Sequence, residues 1–219
     1  MVVTTFLEML AQPTVRVEAL ARWLDALTHA ERLSLLDALD RKTQRRLYTV
    51  ASLSPALTLD DLVPIGRGVR TEVRHIGRNT LPLPAAHKRF EKRMCRPDDG
   101  TARLFGYNEA PSRGLIGPGY FVAYPTRDNP VWASRGDVVV DYYRVHDGPV
   151  AETWPKVVPN REGLQRFVYH GTRDYLRRGW AHLCVGGAGK GEDPPGALFV
   201  PPPASSRVTI GKERSATTA

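Results

Sequence analysis

His182 and Cys184 stand two residues apart in WAHLCVG, a stretch that reads as a strand, so their side chains share one face. A thiol with an imidazole within reach is the minimum for nucleophilic catalysis, and a carboxylate to orient the imidazole would complete the set. Asp141 is the candidate carboxylate. It stands mid-strand in GDVVVDYYRV, flanked by Val138, Val139, Val140, Tyr142 and Tyr143, where a carboxylate must be paired, hydrogen-bonded or protonated. Each residue also has a plainer reading. Cysteine is usually a buried, inert thiol, and Asp141 would be held by an arginine such as Arg166 or Arg173.

Other chemistry is weaker. The run GGAGKG (186–191) invites comparison with a phosphate-binding loop, but Cys184 stands where the first glycine is needed. Gly191 replaces the magnesium-binding Ser or Thr, and Asp193, Pro194, Pro195 does not start a helix. A surface connection accounts for it better. His170 and Asp174 are four apart, a spacing compatible with a metal on a helix, yet no further ligands accompany them, and GxSxG, HExxH and CxxC are all missing. No metal and no cofactor is expected.

The chain has 219 residues, 42% hydrophobic and 25% charged, with a net charge of +8. These are the values of a globular protein with a sizeable core. No apolar run is long enough to span a membrane, the first residues lack a signal-peptide pattern, and two cysteines do not make a disulfide framework. A cytoplasmic location is expected. The positive excess is local: residues 65–96 hold 9 basic and 2 acidic residues, whereas 1–64 hold 7 and 8. That segment is the place to look for polyanion binding, although a solvated face explains it better and nucleic acid is not the expected partner.

The elements that must position these residues fall into two regions. Residues 1–64 read as a helical region, with a stripe of Val17, Leu20, Ala21, Leu24 and Leu27, a capping box at Thr28 and Glu31, an Arg-rich third helix over 42–51, and a last turn capped by Thr58. This region is expected to pack on the rest of the chain or to form a homodimer. Residues 65–200 read as an antiparallel sheet. Period two begins at Val69, and the segment 86–96 fits a helix, by the spacing of Ala86, Phe90 and Met94, or a strand with Lys88, Phe90, Lys92 and Met94 on one face, the turn after it favouring the strand. Pro97, Asp98, Asp99, Gly100 signals a hairpin, Gly117 to Gly119 a second turn before YFVAY, and 136–145 a central strand. One long helix is expected over 160–178, capped by Asn160 and closed by Gly179, with Leu164, Phe167, Val168, Gly171 and Tyr175 on its buried stripe. Residues 201–219 read as a disordered tail.

The fold class expected is α+β, a helical region followed by a curved antiparallel sheet, a half-barrel, wrapped around that helix. Such an architecture encloses an apolar cavity with a few polar groups. The function expected by analogy is binding of a small apolar or amphipathic ligand by Asp141, Tyr120, Tyr142, Phe167 and His182, a carboxylate or phosphate on it being met by arginine. An enzyme using Asp141, His182 and Cys184 in the same cavity is the alternative, and binding through 65–96 is a weaker one.

Overall fold

The computed structural model describes residues 1–79, 88–180, 183–190 and 197–200. Four helices open the chain: α1 (Val2–Ala11), α2 (Val17–Ala26), α3 (His29–Ala38) and α4 (Arg41–Val50). The boundary signals in the sequence hold. Thr28 and Glu31 form a capping box at α3, Asp40 caps α4 by accepting from the Thr43 amide, and Thr58 with Asp61 forms a second box at α5 (Leu59–Leu62). Phe6, Leu10, Leu20, Leu24, Leu36 and Leu47 are buried in one cluster that includes Val185, so the bundle lies against the outside of the sheet.

Eight strands follow in sequence order, each antiparallel to the next: β1 (Val73–Asn79), β2 (Arg89–Cys95), β3 (Leu104–Glu109), β4 (Phe121–Pro125), β5 (Val138–Asp141), β6 (Thr172–Trp180), β7 (Leu183–Lys190) and β8 (Ala197–Val200). The curved antiparallel sheet expected from the sequence is present. Pairing of Arg78 with Val200 and of Asn79 with Phe199 joins its two edges into a closed barrel. Short helical turns decorate the connections: α6 (Arg113–Ile116), α7 (Pro130–Ala133) and α8 (Gln165–Val168).

The long helix over 160–178 is not there. Only Gln165–Val168 is helical, and Thr172–Trp180 is a strand paired with both β5 and β7. Gly163 and Gly171 have φ of +60° and +79°, so they interrupt the backbone where a continuous helix needs negative φ. Leu164, Phe167 and Val168 are exposed, which removes the buried stripe, and Asn160 is no N-cap. Its buried amide donates to the carbonyls of Tyr120 and Tyr142 at 2.5 and 2.8 Å, tying the crossover to β4 and β5. The run GGAGKG is also corrected: all but its last residue belong to β7, whose backbone is paired on both sides.

Alternation along the strands divides the side chains. Met94, Leu104, Phe121, Ala123, Val138, Val140, Leu176 and Cys184 form the interior cluster, and Leu57, Leu59, Leu62 and Val63 join it from the α5 segment. On the outside, Cys95, Phe105, Tyr107, Tyr120 and Val122 are covered by Ala151 and Trp154 of the β5–β6 crossover.

Two interior glycines make room for rings. A Cβ on Gly106 would lie 2.3 Å from the Phe121 ring and 2.8 Å from the Arg93 carbonyl, whereas the three atoms nearest one on Gly77 all belong to the Phe90 ring, the first at 2.4 Å. A ring can turn aside but a carbonyl in a ladder cannot. Gly106→Ala is therefore expected to cost about 1–3 kcal/mol and Gly77→Ala distinctly less, read from urea melts. Equal losses would show that backbone crowding does not set the difference.

Candidate functional site

Inside the barrel, one polar cluster interrupts the apolar packing. Lys92 on β2 points inward between Phe90 and Met94, and only 1% of its side chain is exposed. Its ammonium spans the bore to Asp174 on β6, four strands away in a ring of eight. All three ammonium protons have acceptors: Asp174 Oδ2 at 3.0 Å, Asn108 Oδ1 at 3.2 Å and Tyr142 Oη at 2.5 Å. Asn108 Nδ2 donates to the Gly119 carbonyl and to Tyr142 Oη, and Tyr142 Oη lies 3.3 Å from Asp174. The rings of Phe121 and Tyr142 stand 5.0 and 5.1 Å from the nitrogen, close enough for cation–π attraction. Burial pushes the Lys92 pKa down while Asp174 opposes the shift; burial, reinforced by Asp174, raises that of Tyr142 well above the phenol range.

Sequence supplies the positions through alternation. Lys92 pairs in register with His75 and with Asn108, so β1, β2 and β3 bring three polar residues to one level of the interior. Tyr142 closes the level just beyond the end of β5, stacked on Tyr169 at 5.4 Å. Gly119 holds φ +55°, and a Cβ there would come within 2.5 Å of the Tyr169 ring, so the β3–β4 connection can lie against it only as glycine.

Of the residues expected to bind ligand, the structure places Tyr142 in this interior cluster and Tyr120, Phe167 and Asp141 elsewhere. Tyr120 is buried on the outer face, its hydroxyl donating to the Pro155 carbonyl. Phe167 is 63% exposed on α8, and His182 lies outside the described residues. Asp141 is on the outer face as well, accepting from Tyr124 Oη at 2.6 Å and the Tyr143 amide at 3.0 Å and facing Arg173 Nε at 3.4 Å. That is the arginine partner its burial requires. Cys184 points into the barrel, on the opposite face of the sheet from Asp141, and burial pushes its thiol up to about 12. The Asp141 and Cys184 pair thus does not assemble. Lys92, Asn108 and Asp174 were not singled out as a group. The available signal was a lysine between Phe90 and Met94 on a period-two face; its partner 82 residues on left no local trace.

Beneath the crossover, His146 stacks on Phe105 at 4.6 Å. Its Nε2 lies 2.9 Å from the Gly106 amide, which donates to it in the neutral ring, and 3.0 and 3.1 Å from the carbonyls of Gly106 and Phe121. Burial lowers its pKa to about 4.

The basic segment is largely neutralised. Arg70 pairs with Asp98, Arg74 with Glu72, Arg78 and Arg89 with Asp37, Lys92 with Asp174, Arg93 with Glu91, and Arg96 with Asp60. Three of these residues, Arg78, Arg89 and Arg96, pair with Asp37 and Asp60 and so fasten the sheet to the helical region. Among the described residues no cluster of three or more His, Cys, Asp or Glu is placed to hold a metal, and no helix is long and apolar enough to cross a membrane.

Fold and site together define an eight-stranded antiparallel meander barrel with a helical bundle on its outer wall and a charged cluster in its bore. No family model matches the chain, and no curated protein or solved structure is significantly similar to it.

Proposed function

We propose that the chain binds a small, neutral amphipathic molecule inside the barrel, its hydroxyl or carbonyl head meeting the Lys92, Asn108, Tyr142 and Asp174 cluster. The observation that carries this reading is the ion pair buried across the bore. Burying such a pair adds little to stability compared with apolar residues of the same volume, so its presence points to a use beyond packing. Charge balance sets the ligand class. Asp174 already offsets Lys92, so an anionic head would leave the interior net negative and a cationic head net positive, whereas a neutral head exchanges hydrogen bonds without adding charge. The apolar body would lie among residues such as Phe121 and Val140.

The test is thermal stabilisation by a matched series with one alkyl body and an alcohol, methyl ketone or carboxylate head. The alcohol or ketone is expected to raise Tm and the carboxylate to have little effect. In the double variant Lys92→Met with Asp174→Leu, which removes both charges together, the shifts are expected to vanish while the protein stays folded. Absence of any shift in the wild type, or unchanged shifts in the folded double variant, would overturn the reading.

A further inference from the structure

Outside the barrel, β4, β5 and β6 carry a face on which arginines and aromatic rings alternate. The Arg173 guanidinium lies between Trp132 and Tyr143, 4.8 and 4.3 Å from their ring centroids. Arg144 lies 5.7 Å from the ring of Tyr124, which stands 5.9 Å from Trp132, and His170 stands 6.2 Å from Tyr143. Beneath them Asp141 is 1% exposed and fixes the arrangement, holding Tyr124 by its hydroxyl, Tyr143 by its amide and Arg173 by its charge. Above, Tyr143 is 46% exposed. Arg144 is exposed, and among the described residues its side chain interacts with the Tyr124 ring and with no carboxylate. One buried carboxylate thus serves a surface bearing two guanidinium groups.

We propose that this face binds single-stranded nucleic acid, with backbone phosphates on Arg144 and Arg173 and a base stacked against Tyr143. Charge complementarity selects a polyanion, and the interleaved rings select one whose bases are open to stacking, which a duplex does not offer. Guanidinium groups already held flat by ring contacts lose little freedom when they grip a phosphate. The site is distinct from the bore of the barrel and from the basic segment 65–96.

Fluorescence anisotropy with labelled oligo-dT tests the proposal. Binding is expected at low salt and should weaken as salt rises. Tyr143→Ala should weaken it about tenfold, within the range set by loss of one stacked base. Arg144→Ala should reduce the slope of log K against log salt by about 0.7, the value of one phosphate contact on a single strand. Both positions are exposed, and matching melting curves for the variants establish that the fold is intact. Arg173→Lys, which keeps the charge and loses the flat stacking plane, should also weaken binding. A duplex of the same length should bind much less well than the single strand. No binding at low salt, equal binding of duplex, or an unchanged affinity in Tyr143→Ala would overturn the assignment.

Discussion

Asp174→Ala is expected to cost about 3–5 kcal/mol of folding free energy, because it leaves the Lys92 ammonium buried with no opposing charge. Lys92→Met alone should be similarly damaging, since it strands the carboxylate instead. The double variant, Lys92→Met with Asp174→Leu, should return to within about 1 kcal/mol of the wild type or exceed it, because apolar side chains of similar size need no solvation. Tyr142 keeps a hydrogen bond from Asn108 in that background, so the remaining polar groups are not orphaned. Urea denaturation of the four proteins gives the coupling energy directly. A single-variant loss below about 1 kcal/mol, or losses that simply add in the double variant, would mean that the pair is hydrated and not buried as described.

The second large effect is on the acid side. His146 has a native pKa of about 4 against an ordinary value of 6.5, so the unfolded chain takes up a proton at higher pH than the native state does. The contribution is therefore complete above about pH 6.5 and is lost as pH falls through 6.5 to 4, and its size is on the order of 3 kcal/mol. The cause is local. Burial of the ring penalises its charged form, and this outweighs the help that the carbonyls of Gly106 and Phe121, 3.0 and 3.1 Å from Nε2, would give to a proton there. His146→Gln should flatten the stability profile over this range, and the imidazole resonances of the native protein should stay those of a neutral ring down to about pH 4. A native titration near 6.5 would contradict this account.

What could be read ahead of the structure was what is decided locally. The box at Thr28 and the cap at Thr58 involve residues three apart, and the turn at 97–100 links neighbouring strands, so composition and spacing carry the information. The stretch 160–180 failed for the opposite reason. Its cap-like ends and helical spacing are local signals, but Thr172–Trp180 gains two backbone ladders by pairing with β5 and β7, and that long-range gain outweighs helix propensity. Asp141 was legible as a buried carboxylate needing an arginine. Its direction was not, because β5 is apolar on both faces and such a strand gives no sign of which side faces the bore.

The seam between β1 and β8 has a kinetic consequence. Among the described residues, β8 has four residues, joined to β1 through two residue pairs and to β7 through three. Lys92 sits inside the wall that this seam closes, so if the proposed ligand binds there, it must wait for the protein to part. Among the described residues this seam has the fewest paired residues, and parting there disrupts least. Association would then be paced by breathing of the barrel and not by collision, the observed rate levelling off as ligand concentration rises, and release would be held back by the same gate.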